Sequence, residues 1–194
     1  QALIPQPNQP VYPNNYLAVG RYTALRDNID FKVNYNPTTK LQLFGRYSFS
    51  PYEFFDPPSL GDALGDATGG GQPGTAPGLI QTAGIGGTYA ISPTILFDAN
   101  IGYTRLAMSA KNIDLGKNYG LDVLKIPGTN GSDYLQSGYP RFTFNTFSSI
   151  GNPNVSNPFQ FRDPQYVAVA NLGVIKGAHS LRFGFEYSKY DINH

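Results

Sequence analysis

The string Gly69-Gly70-Gly71-Gln72-Pro73-Gly74 matches the Gly-x-Gly-x-x-Gly pattern with which some folds cradle a dinucleotide pyrophosphate. Such a cradle needs a strand before it and a helix after it. Pro73 and Pro77 forbid that helix, so the segment reads as a flexible loop. His179 and His194 are the only histidines and the chain has no cysteine. No His/Cys cluster can therefore supply the three or four ligands of a zinc site. A Ser–His–acid triad lacks its Gly-x-Ser-x-Gly elbow. Asp62 and Asp66 stand four apart beside glycines without the acidic spacing of a calcium loop. Asn130 and Asn154 each open an Asn-x-Ser sequon and read as Asn-rich turns. The expectation is no catalytic residue, no cofactor and no metal. One segment keeps a chemical interest: Tyr139-Pro140-Arg141-Phe142-Thr143-Phe144-Asn145-Thr146-Phe147. Aromatic rings around a guanidinium stack on a ligand ring or a glycan face. The same residues serve equally to pack a loop upon itself or to form a short extramembrane hairpin.

The elements that would carry such a segment come from one pattern written three times. Asp27 to Asn36 alternates apolar and polar residues, turns at Pro37–Thr39, and alternates again from Lys40 to Phe49. Leu79 to Ile91 and Thr94 to Arg105 flank a turn at Ser92-Pro93. Tyr166 to Ile175 and His179 to Tyr190 flank Lys176-Gly177-Ala178. Runs of about ten residues, short turns at one end and long loops at the other are the signature of a transmembrane β-barrel wall.

Side chains alternate faces along a strand, so the charges test this reading. Ile29, Phe31, Val33, Leu41, Leu43, Ile95, Phe97, Ile101, Leu181, Phe183 and Phe185 fall on one face, expected to meet lipid. Lys32, Arg46, Asp98, Arg182 and Glu186 fall on the other, expected to meet the lumen. A misplaced Lys or Arg at the bilayer midplane costs about 2–4 kcal/mol, enough to enforce that sorting. Tyr35 and Tyr89 lie near the turns, and Tyr47, Tyr103, Tyr166 and Tyr187 near the far strand ends, as two aromatic belts would place them. The tyrosines' own preference for strands gives the same distribution.

Composition narrows the classes further. Charged residues make up 14% and the net charge is +1, so the basic footprint of a nucleic-acid binder is missing. No run of about 18 apolar residues suggests a helical span, and a barrel hides its hydropathy in alternation. Six strands are fewer than the eight of the smallest single-chain membrane barrels, so residues 1–194 read as a partial barrel domain within a larger protein. The fold expected is all-β: antiparallel up-and-down hairpins with long extracellular loops at Ser50–Gly78 and Leu106–Pro164. Asp62 to Ala67 would make at most a helical turn. Long loops on a rigid barrel carry recognition, and lumen charges tune what passes. Arg46, Arg182 and Glu186, with Tyr139, Arg141 and Phe142 in the second loop, are thus the candidate lining of a substrate vestibule.

Several motifs, in this order, resemble the barrel of Oar-like TonB-dependent outer-membrane receptors of Gram-negative bacteria. They are Arg26-Asp27-Asn28-Ile29-Asp30 with Asn36-Pro37-Thr38, Leu43-Phe44-Gly45-Arg46-Tyr47, Asp56-Pro57-Pro58, and Gly86-Gly87-Thr88-Tyr89 with Ser92-Pro93-Thr94. Ile126-Pro127-Gly128 and Lys176-Gly177-Ala178-His179-Ser180-Leu181-Arg182-Phe183-Gly184 follow. The resemblance implies a 22-stranded barrel, a plug gripped by TonB from the periplasm, and energised uptake of a scarce small-molecule, glycan or peptide substrate. Its implied partners are outer-membrane lipid and the TonB complex, the latter through a plug domain absent from these residues. A passive porin or structural barrel shares the wall pattern but not the plug. A secreted β-sandwich or adhesin module predicts short loops at both ends. A protease or lipase barrel would need a nucleophile that the sequence does not display.

Overall fold

Strict alternation is realised as pairing. The computed structural model describes residues 4–12, 15–60, 73–146, 149–151 and 158–193. Its strands are β1 (Thr23–Arg26), β2 (Ile29–Tyr35), β3 (Leu41–Asp56), β4 (Gly74–Ser92), β5 (Ile95–Asn112), β6 (Phe159–Lys176) and β7 (His179–Tyr190). They form one sheet in the order β1-β3-β4-β5-β6-β7, with β2 also paired to β3. The chain divides into two compact units: Gln1–Leu25, Glu53–Pro77 and Ser109–Gln160 in one, Arg26–Tyr52, Gly78–Met108 and Phe161–His194 in the other.

The second unit holds the three hairpins. β2 and β3 pair antiparallel with Val33 opposite Gly45, and β6 and β7 with Leu172 opposite Phe183. The Thr38 hydroxyl accepts from the amides of Lys40 and Leu41 at 3.2 and 3.1 Å, closing the first turn. Gly177 opens the last turn at φ +61, a conformation that favours glycine. Adjacent hairpins are joined at their turn ends: the Ala90 amide donates to the Lys40 carbonyl, and Ile175 to Thr94, each at 2.8 Å. All three short turns therefore lie at one end of the sheet, as the sequence predicts.

Strand extent departs from the sequence reading in three ways. A short β1 precedes the first expected run, separated from β2 by Asp27-Asn28, so seven segments stand where six runs were expected. β3 to β6 span 16 to 19 residues rather than about ten. The long connections are correspondingly shorter than Ser50–Gly78 and Leu106–Pro164, running over 57–73 and 113–158. Pro51, Pro77 and Pro164 belonged to the expected loops yet sit within strands. In an antiparallel ladder a residue's N–H and C=O point the same way. The Pro51 carbonyl accepts from Asp27 at 3.1 Å, so its missing N–H falls at the β1–β2 break. The Pro164 carbonyl accepts from Asp191, just past the end of β7, at 3.0 Å. Two single helical turns, Tyr119–Val123 and Tyr134–Gln136, were not foreseen. The turn expected at Asp62–Ala67 lies outside the described residues.

Small residues let β4 approach its neighbours. A Cβ on Gly86 would overlap the Asn100 side chain and stand 2.8 Å from both the Ala99 carbonyl oxygen and the Phe44 ring. Gly86→Val is expected to cost at least about 2 kcal/mol of sheet stability by overpacking, whereas Gly102→Ala, whose Cβ would meet nothing within 4 Å, costs little. Heat-induced unfolding followed by gel mobility reads both.

Candidate functional site

Register sorts the side chains of the hairpin unit onto two faces. On β2 and β3, Asp30 opposes Ser48, Lys32 opposes Arg46 and Asn34 opposes Phe44. The Ser48 hydroxyl donates to Asp30, and the Arg46 guanidinium stands 3.8 Å from the same carboxylate. Both charges are more than half exposed, so the pair is worth at most about 1 kcal/mol. It orders the face more than it stabilises it. The Lys32 ammonium lies 5.7 Å from the Phe44 ring centroid. On β6 and β7, Val169 opposes Glu186, Asn171 opposes Gly184 and Gly173 opposes Arg182. Asn171 donates to Asp98 of β5 at 2.7 Å, which puts Asp98 on the face of Arg182 and Glu186. A Cβ on Gly84 would lie 3.5 Å from Arg46, so the glycines of β4 leave that side chain room.

The opposite face is apolar along the middle of its strands. Ile29 opposes Phe49, Phe31 opposes Tyr47, Ala170 opposes Phe185 and Val174 opposes Leu181. None of these large side chains finds a protein core: Val33 is 68% exposed and Phe185 67%. Among the described residues the buried apolar side chains are Ala110 and Tyr139, both in the other unit. A continuous exposed apolar face of this extent marks a missing solvent, not a defect in packing. Its far end carries aromatics with polar partners. The Tyr47 hydroxyl accepts from Gln81 at 2.7 Å, the rings of Tyr103 and Tyr166 lie 5.2 Å apart, and the Lys189 ammonium sits 5.9 Å from the Tyr166 ring. Such amphipathic groups suit a headgroup boundary.

The first unit contains a folded loop with a buried acid at its centre. Asp114 is 2% exposed and accepts from the Tyr139 amide at 2.6 Å. Burial pushes its carboxyl above the ordinary range, against the opposing pull of backbone N–H donors and Lys117. Gly138 donates to the Lys117 carbonyl at 2.7 Å and Gly116 to the Ser137 hydroxyl at 2.6 Å. Asn130 uses its whole amide: it accepts from Leu121 and donates to the carbonyls of Gln136 and Gly138. Its sequon is thus a structural turn. Asp133 caps the second helical turn through the Leu135 amide at 2.9 Å. The Tyr139 ring packs against Tyr119 and Phe142 at 6.1 and 5.9 Å, and Phe142 exchanges two backbone bonds with Ile150.

The candidate vestibule residues are therefore distributed over both units. Arg46, Arg182 and Glu186 share the polar face. Arg46 on β3 and Arg182 on β7 are four strand spacings of about 4.8 Å apart and do not form one cluster. Tyr139, Arg141 and Phe142 belong to the folded loop, with Tyr139 turned inward as a packing residue and Arg141 exposed. The packing alternative for the aromatic segment thus applies to Tyr139 and to the Phe142–Ile150 bridge. Sequence reasoning missed Asp114 because an isolated acid carries no periodic signal. Its only cue is the Pro/Gly-rich segment that follows it. Gly74, the last glycine of the dinucleotide-like string, opens β4 at φ +133 against the Lys111 carbonyl.

A family model described as an outer membrane beta barrel domain matches the chain over residues 1–194. No curated protein and no solved structure matches it.

Proposed function

The chain belongs to the outer membrane beta barrel domain family, and from that premise we propose that its sheet is a wall of an energised importer. The antiparallel all-β sheet and the outer-membrane location follow from the family. The role in TonB-dependent uptake is the proposal. One observation carries it: Asp30, Lys32, Arg46, Asp98, Arg182 and Glu186 share a face, while the other face is apolar along the middle of its strands. Such a wall lines a polar path with charges of both signs, which suits selection of a solute more than structural filling. The Oar-like order of motifs favours energised import over a passive pore. The folded loop at 113–142 supplies a preformed recognition element, since ordering has been completed before a ligand arrives. The wall binds and guides, and performs no bond-making chemistry.

A substrate need not be known to test this. The full-length protein, purified from outer membranes, is placed in a planar bilayer. An importer closed by a plug shows no standing conductance until mild denaturant displaces the plug. Open steps of conductance immediately on insertion would establish the passive pore instead.

A further inference from the structure

The apolar face of the hairpin unit is not flat. Two adjoining troughs of about 570 and 770 Å3 run over β2 to β5. They share Leu43, Gly87 and Ala99, so they form one groove. Its depth has a local cause. Small residues stand where neighbouring positions carry large ones, and a Cβ on Gly45 would meet nothing within 4 Å. Leu43 folds down over Gly87, with its Cδ2 2.6 Å from where a Gly87 Cβ would be. The walls are Val33 and Ile101.

Polar side chains concentrate at the turn end of the groove, where Thr38, Thr39 and Lys40 line it, and Asn100 borders the other trough. The whole turn rim is one-signed. Residues 35–41, 91–95 and 175–180 contain Lys40, Lys176 and His179 and no Asp or Glu. From Lys40 to Gly45 the groove follows five residues of β3, about 17 Å at roughly 3.3 Å per residue. The depth of one hydrocarbon leaflet is about 15 Å, half of a core roughly 30 Å thick.

We propose that this groove holds one glycerophospholipid of the turn-side leaflet. An acyl chain lies along Leu43, Gly45, Gly87 and Ala99, and the headgroup phosphate meets the Lys40 ammonium and the Thr39 hydroxyl. The length matches one chain in one leaflet, and the basic rim complements the phosphate. The inference rests on the apolar face being the lipid face. It goes beyond that reading by placing a particular lipid at a particular site.

The test is native mass spectrometry of the full-length protein released from the outer membrane in detergent, with lipid extraction to identify the adduct. Wild type is expected to carry one phospholipid. Gly45→Leu projects a branched side chain into the groove from a Cβ that meets nothing within 4 Å, and is expected to lose the adduct while the barrel assembles. Lys40→Gln should retain it about fivefold less, the effect of one lysine near an anionic surface. Gly102→Leu, on the polar face and also open around its Cβ, should retain it fully. An adduct unchanged in Gly45→Leu, one lost equally in Gly102→Leu, or none in wild type would overturn the proposal. Failure of the lipid-face reading shows separately, as normal assembly of Phe183→Arg.

Discussion

Phe183→Arg should abolish assembly of the protein in the outer membrane, and Ser188→Arg should leave it near wild type. The two sites are five residues apart on β7 but on opposite faces. Phe183 opposes Leu172 in the apolar ladder, and Ser188 opposes Val167 on the side of Glu186. A guanidinium on the lipid side costs about 2–4 kcal/mol near the midplane. That is roughly thirty- to several-hundred-fold in the assembled population. At Ser188 the new charge meets water and the Glu186 carboxylate, and the expected change is within about 0.5 kcal/mol. Heat-modifiable mobility of the protein extracted from membranes measures both. Equal tolerance of the two substitutions would mean that the faces are wrongly assigned.

The second large effect belongs to the folded loop. Asp114→Ala should open residues 113–142 to hydrogen exchange and proteolysis without changing barrel assembly. It strips the acceptor from the buried Tyr139 amide, a loss of about 1–3 kcal/mol for an unsatisfied buried donor. Tyr139→Ala removes a buried aromatic and should cost roughly 3 kcal/mol of the same local stability. Asp114 also makes the loop sensitive to pH. Its folded-state carboxyl lies above the ordinary range because burial disfavours the charge. The folded loop therefore binds this proton more tightly than the unfolded one. The resulting stability is fully present below the ordinary carboxyl pKa and is lost as pH rises through the raised value. Protection of the loop should increase on acidification across that window. Asp114→Asn keeps an acceptor and discards the charge, so it should remove the pH dependence while retaining the fold. A loop equally protected at all pH values in the wild type would remove Asp114 from this role.

Physical signals of different range explain which features could be read from residues alone. The hairpins were legible because alternation and turn chemistry are local. Pro37–Thr39, Ser92-Pro93 and Gly177-Ala178 mark chain reversals within one or two residues of those observed. The two faces were legible because a bilayer penalises any charge out of place. Past the ten residues that a membrane crossing requires, that penalty ends and alternation relaxes. β3 to β6 continue regardless because backbone pairing does not depend on which side chains face water. Pro51 and Pro164 concealed the continuation, since only the register shows that their missing donors fall where a neighbouring strand is interrupted. The folded loop was illegible for the opposite reason. Asp114 and Tyr139 meet across 25 residues through one side-chain–backbone bond, and Asn130 gathers three backbone partners. Such contacts have no period to read.

A sheet with lipid on one side and a water-filled path on the other can be read directly by chemical labelling. The chain has no cysteine, so single cysteines can be introduced without background. Each of residues 181 to 188 is replaced in turn, and intact outer membranes are treated with a membrane-impermeant maleimide. Labelling should alternate: strong at Arg182, Gly184, Glu186 and Ser188, absent at Leu181, Phe183, Phe185 and Tyr187. Uniform labelling, or strong labelling at the second set, would overturn the assignment of the two faces.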